Sequence, residues 1–430
     1  MKSKRVHVFS FIAFFVAFCA VALIFFSGCT TSDNWVRSII ERYYYRFDGD
    51  YSSLTNLNGL TIDEMVEKLD RYSAYYTRDE YEEVAASNAG SKSGIGIAYG
   101  FIDGRGALIY SVVGNSPASK AGLKAGDVVV SAKVGEESVK FAEINDFTNF
   151  ANARTTNENF TLYLENGTEV TLAKTEYTAS YACMFTNDYS YQVVYNGNVR
   201  DVEKSEGEGI EQLPDGTAYI YLSQFFGGAA EEIAALISIF NSRHCTSLIL
   251  DLRDNGGGYV DVMAKIGGMF TSSVVEGNAV AMKAIYKDGR EEITHCYNYD
   301  YEQGVVPAGT DVYVMANHNT ASASEALIGV LVSYNILKYE NIFLSEYEGF
   351  EARSYGKGIM QRTFENRFSG AALKLTVAGI YWQNGVTIHD RGVTVADGCV
   401  AAPASDDIVN VGFDDELVPV INKINAAKQQ

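Results

Sequence analysis

The alternation of apolar and polar positions changes character three times along the chain. After a polar spacer, Trp35, Ile39, Ile40, Tyr43 and Tyr44 recur at helical spacing. A second helix is expected from Ile62 to Tyr72, opened by Thr61 and Glu64 as a capping box in which hydroxyl and carboxylate cover free N–H groups. The stretch DEYEEVAAS reads as a third helix. From Gly90 to about Lys174 the period shortens to two. SGIGIAYG, ALIYSVV, GDVVVSAKV and FTLYLENGTEVTLAK read as strands bounded by Gly, Asn and Asp turns, with a short helix in NSPASKAGLKAGD. Residues 176–216 show no sustained period and are polar, so an irregular linker is expected there. Its tyrosines at 177, 181, 189, 191 and 195 imply that parts of it pack down.

From Thr217 onward strands and helices alternate. AYIYLSQF, SLILDLR and DVYVMAN read as strands. AAEEIAALISIFNS, GYVDVMAKIGGMF and SEALIGVLVSYNIL read as helices. The apolar run of SLILDLR suits a parallel strand covered on both faces. The expected division is 1–28 leader, 29–89 helical region, 90–175 β-rich domain, 176–216 linker and 217–430 α/β core, a multidomain α/β chain.

The leader is an address. Lys2, Lys4 and Arg5 precede an apolar run from about Val6 to Phe26, and Phe26-Ser27-Gly28-Cys29 resembles a bacterial lipobox with Cys29 as the lipidated residue. A lipid-anchored protein, an uncleaved membrane anchor and a plainly secreted protein stay open, and all three place the body outside the cytoplasm. A formal charge of −20 argues against nucleic acid as a partner, because phosphate binding needs clustered Lys and Arg. The six cysteines contain no C-x-x-C, so no zinc or redox motif is supported.

In open α/β sheets, sites form at the carboxyl ends of strands. One such end is DLRDNGGG, Asp251 to Gly258, whose glycines allow close backbone approach and outward N–H groups. It reads as an oxyanion or anion site or as a tight turn; a nucleotide loop is disfavoured because G-x-x-x-x-G-K-[ST] is absent. The second end is VMANHNTASASEA. Ser322 to Glu325 fits a capping box, so Ser322 reads as a helix cap. A serine there also has the N–H of Ala323 beside it, placed to stabilise an oxyanion. Such a hydroxyl needs a base. Neither His318 nor His389 lies in a triad signature. The alternative base is a lysine held neutral against its ordinary pKa of about 10.4. Lys357, in SYGKGIMQ, is a candidate for that role, and an exposed turn lysine is the plainer reading.

At these residues the chain resembles the C-terminal processing peptidases, or tail-specific proteases. LDRYSAYYTRDEYEE, SGIGIAYG, SVVGNSPASKAGLKAGDVVVSAKVG, AYIYLSQF, LILDLRDNGGG, NTASASEA, YGKGIMQ and LKLTVAGIYWQNGVTIHDRGV follow in the family's order, over nearly the whole mature chain. The resemblance implies a PDZ-like domain over 90–175 and an α/β peptidase core of the ClpP/crotonase-like type. It implies Ser322 as nucleophile, Lys357 as base, Gln361 as support for the lysine, and the backbone of Ala323 and Gly257 as oxyanion hole. Gly256 stands where the family commonly has proline. It further implies protein or peptide substrates, no cofactor or metal, and capture of substrate C-termini at Ser93, Gly94, Ile95 and Gly96, which otherwise read as a strand start with a glycine turn. The segment between Ser322 and Lys357 is longer than is usual in the family, and residues 176–216 have no clear counterpart in it. A catalytically silent peptide-binding or scaffold protein is the competing reading.

Overall fold

The computed structural model describes residues 32–197, 199–206, 209–299, 304–346, 351–402, 411 and 415–429. The leader and the Cys29 lipidation site lie outside the described residues. The chain divides into two compact units. Among the described residues, one comprises 32–81 with 286–288 and 361–378, and the other holds the remainder.

In the first unit, helix α1 (Ser32–Tyr43) buries Val36 and Ile40, one turn apart. Helix α2 (Ile62–Val66) starts at the expected capping box: Thr61 N–H donates to Glu64 Oε2 at 2.8 Å, and Glu64 N–H returns to Thr61 Oγ1 at 3.3 Å. It is shorter than the expected 62–72. After Val66 the chain tightens, with Lys68 N–H to Met65 O at 3.2 Å and Leu69 N–H to Val66 O at 3.0 Å, and Asp70 then accepts the Tyr72 and Ser73 N–H groups on one oxygen, at 2.9 and 3.0 Å, so the chain turns instead of resuming the helix. Strand β1 (Ala74–Tyr76) follows, so the region expected to be helical also carries a strand. It pairs antiparallel with Ala372–Lys374. Helix α3 (Arg78–Asn88) matches the third expected helix.

The second unit begins at Glu82, within α3, and continues into the β-rich module. Its strands are β2 (Ser91–Gly94), β3 (Ile97–Ile102), β4 (Gly106–Val112), β5 (Val128–Val134), β6 (Glu137–Lys140), β7 (Asn159–Leu164) and β8 (Glu169–Ala173). Helices α4 (Pro117–Lys120) and α5 (Ile144–Asn152) complete it; α5 is not among the expected elements. The sheet runs β3-β4-β5-β7-β8, which leaves β3 at an edge. Ile109, Val129, Leu162, Phe147 and Phe160 form its core. Each strand contributes alternate residues, as the period of two requires.

The expected linker is not irregular. Residues 175–206 form four strands: β9 (Thr175–Thr178), β10 (Ala182–Phe185), β11 (Tyr189–Asn196) and β12 (Val199–Glu206). β9 pairs with β2. β10 to β12 extend the main sheet, whose order is β12-β11-β10-β13-β14-β17-β18-β21. Here β13 is Thr217–Leu222, β14 Ser247–Asp251, β17 Asp311–Ala316, β18 Ile342–Ser345 and β21 Val400–Ala402; a hairpin of β15 (Val280–Tyr286) and β16 (Glu291–His295) intervenes. The neighbours from β13 to β21 pair in parallel. β18 lies within the long segment between Ser322 and Lys357, so part of that segment is sheet; residues 347–350 fall outside the described residues.

The core helices are α6 (Ala229–Ser242), α7 (Val260–Thr271), α8 (Ala323–Ser333) and the C-terminal α9 (Leu417–Lys428). Ile233, Leu236, Ile237 and Phe240 of α6 are buried as the sequence predicts. Leu417, Val420, Ile421 and Ile424 of α9 pack on Tyr219, Ile249, Tyr313 and Met315, one face of the sheet. An ionic contact pins this helix. Arg253, fully buried, donates to Asp251 Oδ2 at 2.6 Å and to Glu416 Oε2 at 2.6 Å, at the head of α9. Two carboxylates on one guanidinium offset the desolvation each charge suffers.

A second buried carboxylate anchors β10. Glu232 of α6 accepts from Ser180 Oγ (3.0 Å), Tyr181 N–H (2.7 Å) and Ala182 N–H (2.9 Å) on one oxygen, and from Tyr195 O–H (2.8 Å) on the other. Burial raises its pKa against the pull of these donors. The native state therefore holds that proton more tightly than the unfolded chain. The resulting contribution to stability is present at low pH and lost as pH rises through the raised value. Glu232→Gln keeps one oxygen for the three clustered donors, and its new N–H group faces a Tyr195 hydroxyl that can turn to accept. We predict a loss of less than about 1 kcal/mol and a flatter pH dependence of the urea midpoint from acid to neutral pH. A loss of several kcal/mol would contradict this account.

Candidate active site

Strands β13, β14 and β17 end side by side, and the turns that leave them build the site. After β14 the chain runs Leu252 to Gly258. Asn255, fully buried, is the pivot of this turn. Its Nδ2 donates to Leu222 O (2.7 Å) at the end of β13, its Oδ1 accepts from Gly257 N–H (2.9 Å), and its carbonyl accepts from Ala321 N–H (3.0 Å) and Ser324 Oγ (2.8 Å). One side chain and its own backbone thus tie three strand ends together. The Thr320 hydroxyl closes the same junction by donating to Leu252 O at 2.8 Å.

Ser322 is the N-cap of α8 and has φ 60° and ψ −114°, an unusual backbone for a residue with a Cβ. Such a conformation costs on the order of 1–3 kcal/mol and persists only where the surroundings enforce it. The expected capping pair is present, with Ser322 N–H donating to Glu325 Oε2 at 2.9 Å. Ala323 opens the helix, and its N–H has no acceptor among the described residues. Gly257 stands against this turn: a Cβ there would lie 2.7 Å from Ala321 O, 2.8 Å from Ala323 N and 2.8 Å from Ser322 Cβ, at φ +97°. Only glycine fits. Gly256, by contrast, has open space where a Cβ would be.

Glu325 does more than cap. It is fully buried, and its Oε1 accepts from Ser354 Oγ (2.6 Å) and Gly356 N–H (2.7 Å). Its Oε2 accepts from Lys357 N–H at 2.9 Å, the oxygen that also holds Ser322 N–H at 2.9 Å. The two amide nitrogens therefore lie within twice 2.9 Å of each other. The serine turn and the lysine loop share one carboxylate. Burial raises the pKa of Glu325, opposed by these hydrogen bonds. Ser322 and Lys357 are themselves half-buried.

The lysine loop is held from its other side by residues 389–393. Ser354 N–H donates to Val393 O (2.9 Å), Val393 N–H to Ser354 Oγ (2.8 Å), and Asp390 N–H to Gly356 O (2.8 Å). A Cβ on Gly356 would lie 2.9 Å from Gly392 N, and one on Gly358 2.7 Å from His389 N. The glycines flanking Lys357 are there because another backbone passes over them. His389 Nε2 lies 3.5 Å from Asp390 Oδ2.

The remaining residues singled out in the sequence fall as follows. Gln361 is half-buried on strand β19 (Ile359–Glu365) and donates through Nε2 to Thr376 Oγ1 at 3.2 Å. Ser93 and Gly94 lie in β2, opposite Glu176 and Thr175 of β9. Ile95 is buried in the module core, and its carbonyl accepts from Ala118 N–H at 2.9 Å. The Gly96 carbonyl accepts from Val113 N–H at 2.8 Å. Asn255, Ser354 and the wider reach of Glu325 were missed by sequence reasoning. Only the Glu325 capping signal pointed to any of them.

A mixed α/β fold of several sheets, with a serine on a strained strand-to-helix turn, defines a class, and comparison with known proteins agrees. Residues 216–395 match the model of peptidase family S41. A "Probable CtpA-like serine protease" of Staphylococcus saprophyticus is 25% identical over 377 residues, covering 86% of this chain and 66% of that protein. A protein of the same name from Staphylococcus aureus (strain MRSA252) is 25% identical over 410 residues, covering 91% and 73%. A solved structure, "Putative S41 protease" from Bacteroides fragilis, shares the fold with a TM-score of 0.61 at 14% identity, over 91% of this chain and 97% of that one. The stretch 216–395 is thus similar to peptidase family S41, and the relatives that the whole chain resembles are named serine proteases.

Two substitutions test the geometry. Glu325→Gln places an N–H group against donors whichever way the amide is turned, because each oxygen accepts a backbone N–H. We predict a stability loss of about 2–4 kcal/mol by chemical denaturation. Gly257→Ala is predicted to lower activity by about a hundredfold or more through displacement of the serine turn, with Gly256→Ala within about 1 kcal/mol of the parent in stability. Equal behaviour of the two glycine variants would contradict the close approach at Gly257.

Proposed function

We propose that the chain is a serine endopeptidase that hydrolyses peptide bonds through a Ser322–Lys357 pair. The observation that carries this reading is the shared Glu325 oxygen, which brings the serine turn and the lysine loop to one carboxylate. Lys357, as the neutral amine, takes the proton of Ser322 as the hydroxyl attacks the carbonyl carbon. The resulting oxyanion is met by Ala323 N–H, whose amide points out of the helix end. Gly257 is the second donor; its N–H already donates to Asn255 Oδ1, so it divides its hydrogen bond between that oxygen and the substrate. Lys357 then protonates the departing amine, and water releases the acyl group. Gln361 as support for the lysine rests on the family resemblance.

The β-rich module is the PDZ-like substrate handle in this proposal, beside a core of the ClpP/crotonase-like type. Its edge strand β3 is available for an added peptide strand. The N–H groups of Ile95 and Gly96 have no acceptor among the described residues, which supports the turn Ser93–Gly96 as a carboxylate cradle. The cationic, then apolar leader ending at Cys29 supports an extracytoplasmic, membrane-anchored protein.

Incubation of the full chain with an unstructured polypeptide tests the mechanism. Ser322→Ala and Lys357→Ala are each expected to lose about a thousandfold or more in turnover with unchanged melting temperature. Equal cleavage by all three forms would remove both residues from the mechanism. Peptide binding without cleavage by the parent would identify a silent binding protein instead.

A further inference from the structure

A cleft of about 1400 Å³ opens between the β4–α4 side of the β-rich module and the β10–β13 wall of the core. Pockets for small ligands usually hold about 300–1,000 Å³, so this one has room for a length of polypeptide. It is separate from the handle described above, since none of Ser93 to Gly96 lines it. It abuts the reaction site. Gln224 and Asp254 are part of its wall, and the next residue after Gln224, Phe225, donates its N–H to Gly257 O at 3.0 Å.

The charges on this wall run against those of the chain. The protein carries −20, yet Lys92, Lys120 and Lys124 face the cleft. None of the three has an ion-pair partner among the described residues. Lys120 and Lys124 are exposed. Lys92 is half-buried, and its Nζ donates to the neutral Ser87 hydroxyl at 3.0 Å. Burial without a counter-ion lowers the pKa of Lys92. An ammonium so placed gains more from an arriving carboxylate than a fully hydrated one does. The acidic side chains on the wall are Glu211 and Asp254, and Asp254 is already engaged, accepting from Asn317 Nδ2 and Asn319 Nδ2 at 2.9 Å each.

We propose that this cleft is a second substrate-binding site, which selects polypeptides carrying acidic side chains and leads them to the Gly257–Ser322 turn. The proposal rests on the peptidase reading and adds to it the chemistry of the preferred substrate. Lys92, Lys120 and Lys124 supply the counter-charge, and the local cationic wall discriminates because the rest of the surface repels acidic chains.

The test compares two unstructured polypeptides of equal length that differ only in Glu against Gln. The full chain is expected to cleave the Glu form with kcat/KM about five- to tenfold higher, with the ratio shrinking at about 0.5 M salt. Lys120→Gln with Lys124→Gln, exposed changes that disturb no packing, should reduce the ratio; adding Lys92→Gln should bring it near one. Fluorescence anisotropy on the full chain carrying Ser322→Ala reads the same preference as binding, without turnover. Preference in binding but no cleavage by the parent removes the peptidase reading and keeps the cleft. Cleavage without preference, a ratio unchanged in the triple variant, or no binding of either polypeptide overturns the cleft.

Discussion

A carboxylate with no access to water sits at the start of helix α8, and four donors converge on it. Burying the charge of Glu325 is costly, and the N–H groups of Ser322, Gly356 and Lys357 with the Ser354 hydroxyl offset that cost. The arrangement also sets an acidic side chain at the N-terminus of a helix, where the backbone dipoles favour its ionised form against the effect of burial. Its geometric consequence is larger than its energetic one. Two segments about thirty residues apart in the chain are held by a pair of oxygens belonging to one side chain. The strained backbone of Ser322 is tolerable because this carboxylate and the turn at Asn255 over-determine it.

Around that contact the site is built in layers. Asn255 joins the ends of β13, β14 and the serine turn. Arg253, two residues upstream, joins β14 to the head of α9. Residues 389–393 lie over the lysine loop and exclude side chains from its glycines. In the proposed mechanism, groups placed on rigid turns, with supports that are themselves hydrogen-bonded, would lose little freedom when a substrate arrives. That pre-organisation is the physical basis of oxyanion stabilisation and of in-place proton transfer.

Legibility in the sequence followed solvent exposure. Strands of the β-rich module have one buried face, so apolar residues alternate and the period of two is visible. Helix α6 shows its buried stripe for the same reason. The later part of 176–216 reads as linker because its last strand, β12, is the outer edge of the main sheet and most of its residues are exposed. With no face to bury, it carries no hydrophobic signal, and pairing with β11 alone makes it a strand. Helix α2 was read too long because an Asp70 turn, which acts through a single side-chain oxygen, leaves the apolar spacing unchanged. Helix α5 was missed because the stretch from Ala142 to Ala153 lies among strands and turns, and its two buried phenylalanines, Phe147 and Phe150, gain meaning only from the module core they fill.

The order of elements, the strand-to-helix turns at Asp251–Gly258 and Asn317–Ser322, and the cap between Ser322 and Glu325 are local matters, decided within a few residues by turn chemistry and hydrogen-bonding needs. A reader of the chain alone can recover them. That Glu325 also holds the Lys357 loop, that Gly257 must lack a side chain because Ser322 stands against it, and that three lysines line one cleft in an acidic protein were decided only when distant segments packed. No spacing encodes such contacts, since a buried carboxylate takes whichever donors folding brings within reach.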